Sequence, residues 1–209
     1  MVLVTSFFVS ISVPANAAEC VKSSTTVSGE TLLTFSTVGT CEWTVPAGVS
    51  SVRALVVGGG GAGGGGYTTY FFGNGGGGGE VIDSTISVTP NANLIVKVGT
   101  GGAATNYDTN STSTNNGESS IFGAVTARGG TSTFDKTSRI GGTSGSQKTG
   151  GTGTNASGGA TEGGGGGGAS ANGSGRNGGA GVSSDITGTS TQFGGGGASM
   201  GFVANPVYG

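Results

Sequence analysis

Residues Val52 to Gly66 read Val-Arg-Ala-Leu-Val-Val-Gly-Gly-Gly-Gly-Ala-Gly-Gly-Gly-Gly. A short run of β-branched and large apolar residues, the signature of a strand, ends abruptly in almost pure glycine. The pattern returns in Ile95–Gly102 and Ile121–Gly130. Glycine in the middle of an element costs more conformational entropy than any other residue. Blocks of it gain order only if their main-chain amides pair with neighbouring segments. A left-handed threefold helix of the polyproline II type has no internal hydrogen bonds. Several such helices side by side can bond to one another laterally, with Cα–H···O contacts added. The stretches 163–168 and 194–197 suit this arrangement. The sequence therefore predicts strands whose glycine-rich loops pack as polyproline II helices. The competing reading is that the glycine blocks are flexible coil.

Composition narrows the choice. The protein has 209 residues, 50 of them Gly and 4 Pro. Collagen needs Gly at every third position and abundant Pro; here Gly comes in blocks, which excludes it. Charged residues are 9% and the net charge is −2, too little charge for charge-driven disorder. No basic stripe is present, so no nucleic-acid partner is expected. Apolar residues are 33%, enough for one modest core. No apolar segment shows a 3.6-residue period, so no α-helix is expected beyond the N-terminal leader.

Met1–Val13 is apolar and is followed by Pro14-Ala15-Asn16-Ala17, an A-x-A ending typical of a secretory signal peptide. Cleavage is expected before Ala18, although no Lys or Arg precedes the apolar run. The stretch is shorter than the roughly 20 residues a membrane span needs, so no span is expected after cleavage. Glu19 just before Cys20 argues against a lipoprotein signal. Cys20 and Cys41 are the only cysteines. In an exported protein such a pair reads as a disulfide, closing a loop worth about 3 kcal/mol in the chain-entropy model. Free or intermolecular thiols are the alternative.

Along the sequence, strands are expected at Glu30–Val38, Cys41–Val45, Ser51–Val57, Glu80–Val88 and Asn93–Val98. A small hairpin is expected within Ser119–Ala127, around Gly123. Gly39-Thr40 reads as a turn and Gly99–Gly117 as a polar loop. Cys41, Trp43 and Val45 fall on one face, with Trp43 as core anchor. Ser51–Val57 reads as a central strand, apolar on both faces near its end. Large apolar residues thin out from Gly129 to Gly197 and return in Ala198–Gly209, which could supply a closing strand. The expected fold is all-β, a jelly-roll-like β-sandwich. Residues 1–17 form the leader, 18–130 the sandwich core with its insertions, and 131–209 a glycine-rich region closing on the same domain.

Chemistry is scarce. The G-x-G-x-x-G within Gly58–Gly63 continues into more glycine instead of opening a helix, so it is not a dinucleotide fingerprint. With no His and scattered Asp, neither a metal cluster nor a general-base pair can be assembled. No cofactor, metal or catalytic residue is expected, and the sequence reads as that of a non-enzyme. Three Asn-x-Ser/Thr sequons, at Asn110, Asn155 and Asn172, arise readily by chance in such a composition. The one concentrated feature is Tyr67-Thr-Thr-Tyr70-Phe71-Phe72 between two glycine blocks. Its rings either pack on the core or form an exposed contact tip for a surface glycan or protein receptor.

The run Trp43-Thr44-Val45-Pro46-Ala47-Gly48-Val49-Ser50-Ser51-Val52, followed by Leu55-Val56-Val57 and a glycine block, resembles the glycine-rich domain of bacterial secreted and cell-surface proteins, to which phage tail adhesin domains are related. Ser87-Val88-Thr89-Pro90 with Val96-Lys97-Val98-Gly99 extends the likeness. So do Gly117-Glu118-Ser119-Ser120-Ile121-Phe122-Gly123 and Thr126-Ala127-Arg128-Gly129-Gly130. The glycine-rich extracellular region of the anaplastic lymphoma kinase receptor is similar more weakly. The resemblance covers roughly residues 31–209. It implies a structural or adhesive module, secreted or attached to the cell surface through further regions of a longer protein. It offers no catalytic residues. Self-association, and ice binding by a flat threefold-helix face bearing Thr and Ala, are the further functional expectations.

Overall fold

The computed structural model describes residues 18–64, 73–103, 115–133, 139–154 and 162–200. Among them are ten strands and no helix: β1 Ser23–Val27, β2 Glu30–Thr34, β3 Gly39–Thr44, β4 Ser51–Val57, β5 Val81–Ser87, β6 Asn93–Val98, β7 Ser120–Phe122, β8 Val125–Ala127, β9 Val182–Ser184 and β10 Thr191–Phe193. All strand pairs are antiparallel. One sheet has the order β3-β6-β7-β8, and β4-β5, β1-β2 and β9-β10 form two-stranded sheets. The alternation read in Cys41–Val45 turns Trp43 and Val45 inward. They join Cys20, Val56, Val96, Phe122 and Ala127 in one buried cluster, with Ile82 and Ile86 packed against it. The four-stranded sheet and β4-β5 thus share an apolar layer, a sandwich-like arrangement. Trp43 is its anchor, 5.8 Å from Phe122 and 6.3 Å from Phe35 between ring centroids.

Several expectations need correction. The Glu30 strand stops at Thr34, because the backbone must leave its partner β1 to bring Phe35 onto the core. Gly39 and Thr40 belong to β3, paired with Val98 and Lys97, and are not a turn. β4 is not a central strand, since it pairs with β5 alone; Val52, Ala54 and Val56 turn to the core, while Arg53 on the other face is exposed and Leu55 and Val57 are half-buried. Strand β1, Ser-Ser-Thr-Thr-Val, has no apolar alternation to announce it. It forms because Ser28 and Gly29, at φ 49° and 87°, make the tight turn that suits a two-residue hairpin. The Gly99–Gly117 region is not simply a loop, as its two ends are hydrogen-bonded into the glycine array.

That array grows directly out of the strands. On β4 and β5, Ser51 faces Ser87 and Val57 faces Val81. Beyond the strand ends, the amides of Gly58 and Gly61 donate to the carbonyls of Glu80 and Gly77 at 2.9 and 2.8 Å, and Gly64 donates to Asn74 at 2.8 Å. Each step forward on one arm is matched by a step back on the other, so the strand register is kept. Only the hydrogen-bond spacing changes, from two residues to three. The same handover joins β6 to β7, where Glu118 donates to Thr100, and β9 to β10, where Gly196 donates to Gly179. A spacing of three is that of the polyproline II helix. Its rise of about 3.1 Å per residue is close to the strand value of about 3.3 Å, which lets paired arms pass from one conformation to the other without slipping.

At the centre of the array, residues 73–79 are all buried, as are 163–169. The segment 73–80 donates to 128–133 and 162–169, accepts from 58–64 and 139–145, and exchanges bonds with 194–200. The segment 162–169 bonds with six neighbours in the same way. Contact this close has no room for side chains. A methyl group on Gly75, Gly76, Gly77, Gly78 or Gly79 would lie closer than 3.0 Å to the carbonyl of Gly197, Gly61, Thr143, Gly194 or Gly58 in turn. On the outer segments, Gly60 would carry a methyl with nothing nearer than 3.6 Å. The lateral bonding and the absence of Cβ atoms therefore need each other.

Gly77→Ala is expected to lose about 3 kcal/mol, the upper end of overpacking costs, because backbone cannot move aside as a flexible side group does. Gly60→Ala should be neutral or gain up to about 1 kcal/mol through the unfolded state. Urea unfolding of the two variants measures this, and equal effects would contradict the packing described. Cys20 and Cys41 are disulfide-bonded at a separation of 21 residues. Replacing both with Ser should lower stability by about 3 kcal/mol in the same assay.

Candidate functional site at the loop pole of the glycine array

The handover from strand to glycine segment sets the polarity of the array. β4, β6 and β8 run into 58–64, 99–103 and 128–133, while 73–80, 115–119 and 177–181 run into β5, β7 and β9, and β10 runs into 194–200. One pole of the array is therefore the β core. Hydrogen-bond pairing fixes what lies at the other. Gly64 meets Asn74, Ala62 meets Asn115, Gly153 meets Arg139, Glu162 meets Thr154, and Gly73 exchanges bonds with Met200. Positions 64, 73, 115, 133, 139, 154, 162 and 200 all fall toward the pole remote from β4-β5. Four connections, 65–72, 104–114, 134–138 and 155–161, join segment ends that face this pole.

Of the residues singled out from sequence, Cys20 and Cys41 meet as a disulfide. It lies at the opposite end of the molecule, where Cys20 donates to Glu42 and Glu42 to Ala18, both at 3.1 Å. Here the N-terminal segment is fastened to the outer edge of β3. Tyr67, Tyr70, Phe71 and Phe72 lie outside the described residues. The structure does place the two ends of their segment, Gly64 and Gly73, at the loop pole. Among the described residues no group of three or more His, Cys, Asp or Glu could hold a metal ion, and no helix is long and apolar enough to cross a membrane.

Sequence reading missed a charged latch. Arg53 on β4 donates to both oxygens of Asp83 on β5 at 2.9 and 2.8 Å, and to Asp185 just after β9 at 2.7 Å. The buried Ser184 hydroxyl donates to Asp83 at 2.6 Å. The latch ties the β9-β10 hairpin to the β4-β5 sheet although about a hundred residues of sequence separate them. The hydrogen bonds from Arg53, then Ser184, hold the Asp83 carboxyl below its ordinary value; the Arg53 bond does the same at Asp185. The missed signal was the lone Arg in a mostly apolar strand, diagonally across from the lone Asp of its partner strand, which faces Leu55. A smaller pair, Arg176 with Glu162 at 3.4 Å, sits at the loop pole.

A β core that hands its strands to a laterally bonded glycine array defines a glycine-rich β protein whose segment ends meet at the pole remote from that core. The protein belongs to the glycine-rich domain family, whose model matches residues 35–207. No curated protein matches it. No solved structure matches it either.

Because Asp83 titrates below its unfolded value of about 3.8, the latch contributes fully above that value. Its contribution fades as the pH falls through the lower, folded value. The wild-type melting temperature should therefore fall more steeply below about pH 4 than that of Asp83→Asn, which starts lower at neutral pH. Parallel acid limbs in the two melting curves would show that the latch carries no stability.

Proposed function

We propose that this domain is a non-catalytic structural and adhesive module, exported by a bacterial cell and working outside it or on its surface. In this reading, the glycine array is a rigid stem that presents its connections at one pole to a surface glycan or protein receptor. The observation that carries it is the convergence of the segment ends at the loop pole. Recognition is commonly placed on loops held by a rigid scaffold. Tyr and Phe, here Tyr67, Tyr70, Phe71 and Phe72, are enriched at contact surfaces. The A-x-A leader ending and the disulfide, a bond favoured in oxidising compartments, support export. A protein with no His has few means of general-base catalysis, which supports a binding role.

The test is to express the full-length protein with its own leader in a bacterial host and probe the product on glycan arrays and candidate host cells. The expected product is extracellular, begins at Ala18 and binds. Changing Tyr67, Tyr70, Phe71 and Phe72 to Ala should abolish binding and leave the melting temperature unchanged. Undiminished binding by that variant, or retention of the protein in the cytoplasm, would overturn the reading.

A further inference from the structure

The sequence has four Asn-Gly junctions: Asn74-Gly75, Asn116-Gly117, Asn172-Gly173 and Asn177-Gly178. Asn-Gly is the sequence most prone to spontaneous deamidation, because glycine leaves the following amide nitrogen sterically open. The reaction needs two freedoms. The asparagine amide must swing over the backbone, and the following N–H must be free to lose its proton and attack.

At three junctions the fold removes both. Gly75 donates its N–H to Gly164 at 2.9 Å, and Asn74 Oδ1 accepts from the Gly164 amide at 3.0 Å. Gly117 donates to Gly130 at 2.9 Å, and Asn116 Oδ1 accepts from Ser132 at 2.9 Å. Gly173 donates to Thr149 at 2.9 Å, and Asn172 Oδ1 accepts from the Thr149 amide at 3.0 Å. In each case the asparagine side group braces the neighbouring segment. The fourth junction differs. Among the described residues, neither the Gly178 N–H nor the Asn177 amide group has a partner, and Asn177 is exposed. It closes the turn Ser174–Asn177, whose end residues exchange backbone bonds at 3.0 and 2.9 Å.

We propose that Asn177 is a site of spontaneous modification, at which the folded protein deamidates and isomerises while its other Asn-Gly junctions stay protected. The Gly178 nitrogen, having lost its proton, attacks Asn177 Cγ. A new N–Cγ bond forms, the Cγ–Nδ2 bond breaks, and ammonia leaves with a proton from water. Water then opens the succinimide at either carbonyl, giving aspartate or isoaspartate. Overall one water is consumed and one ammonia released, with no redox partner. The product changes the loop pole. A carboxylate appears next to Arg176, the partner of Glu162. In the isoaspartyl form the backbone gains a methylene two residues before Gly179. Gly179 donates to Gly166 at 2.8 Å and accepts from Gly196 at 2.9 Å. The modification therefore strains the seat of 177–181 against the buried segment 163–169.

The test is ageing of the folded full-length protein in mildly alkaline buffer, followed by peptide mapping and by methyl labelling with an isoaspartyl methyltransferase. Asn177 should react at least about tenfold faster than Asn74, Asn116 or Asn172, since each of those must first open two hydrogen bonds. In denaturant the four sites should react at similar rates. Asn177→Gln, which would have to close a less favourable six-membered ring, should remove the labelling while keeping the fold. Folded-state reaction at Asn116 or Asn172 as fast as at Asn177 would overturn the proposal. So would the persistence of the fold-dependent label in Asn177→Gln.

Discussion

The glycine array is held together mainly by backbone amides that bond to the carbonyls of neighbouring segments. In an ordinary domain, side chains bury area and hydrogen bonds follow. Here the order is reversed at residues 73–79 and 163–169, which are buried with almost no side-group atoms to bury. A buried, unpaired peptide group is costly. These segments avoid that cost because each of their neighbours presents carbonyls and amides at a spacing of three. The glycine content follows from this constraint, since a Cβ added at any of Gly75–Gly79 or Gly163–Gly168 would meet neighbouring backbone.

The β core supplies what the array lacks. A glycine segment alone gains little on ordering and loses much entropy. The apolar layer around Trp43, Val56 and Phe122 fixes the ends of the strands at one pole, and with them the starting positions of the glycine segments. Kept in strand register, the arms then bond in sequence. The disulfide at Cys20 and the Arg53 latch secure the parts of the core that the layer covers least: the N-terminal segment and the β9-β10 hairpin.

Much of this was legible in the sequence, for physical reasons. Alternation in Cys41–Val45 and the apolar runs at 51–57 and 93–98 located strands and core. Gly163–Gly168 and Gly194–Gly197 announced the array, because polyglycine has few other ways to become ordered. What escaped was whatever rests on partners distant in sequence. β9 and β10 are three-residue strands in polar surroundings, and only their mutual pairing and Asp83 define them. Thr100 and Asn115 look like loop residues until segment 58–64 is alongside. The bracing roles of Asn74, Asn116 and Asn172 have no local signature, since asparagine beside glycine usually means a turn.

The unbroken register between strand and glycine segment also governs how such a protein can change in length. One residue added within 58–64 would rotate every later carbonyl by a third of a turn and aim its bonds at empty space. Three residues added to each of two paired arms would restore every alignment and lengthen the stem by one turn. In a lineage of these proteins the bonded glycine segments should therefore grow or shrink only in threes.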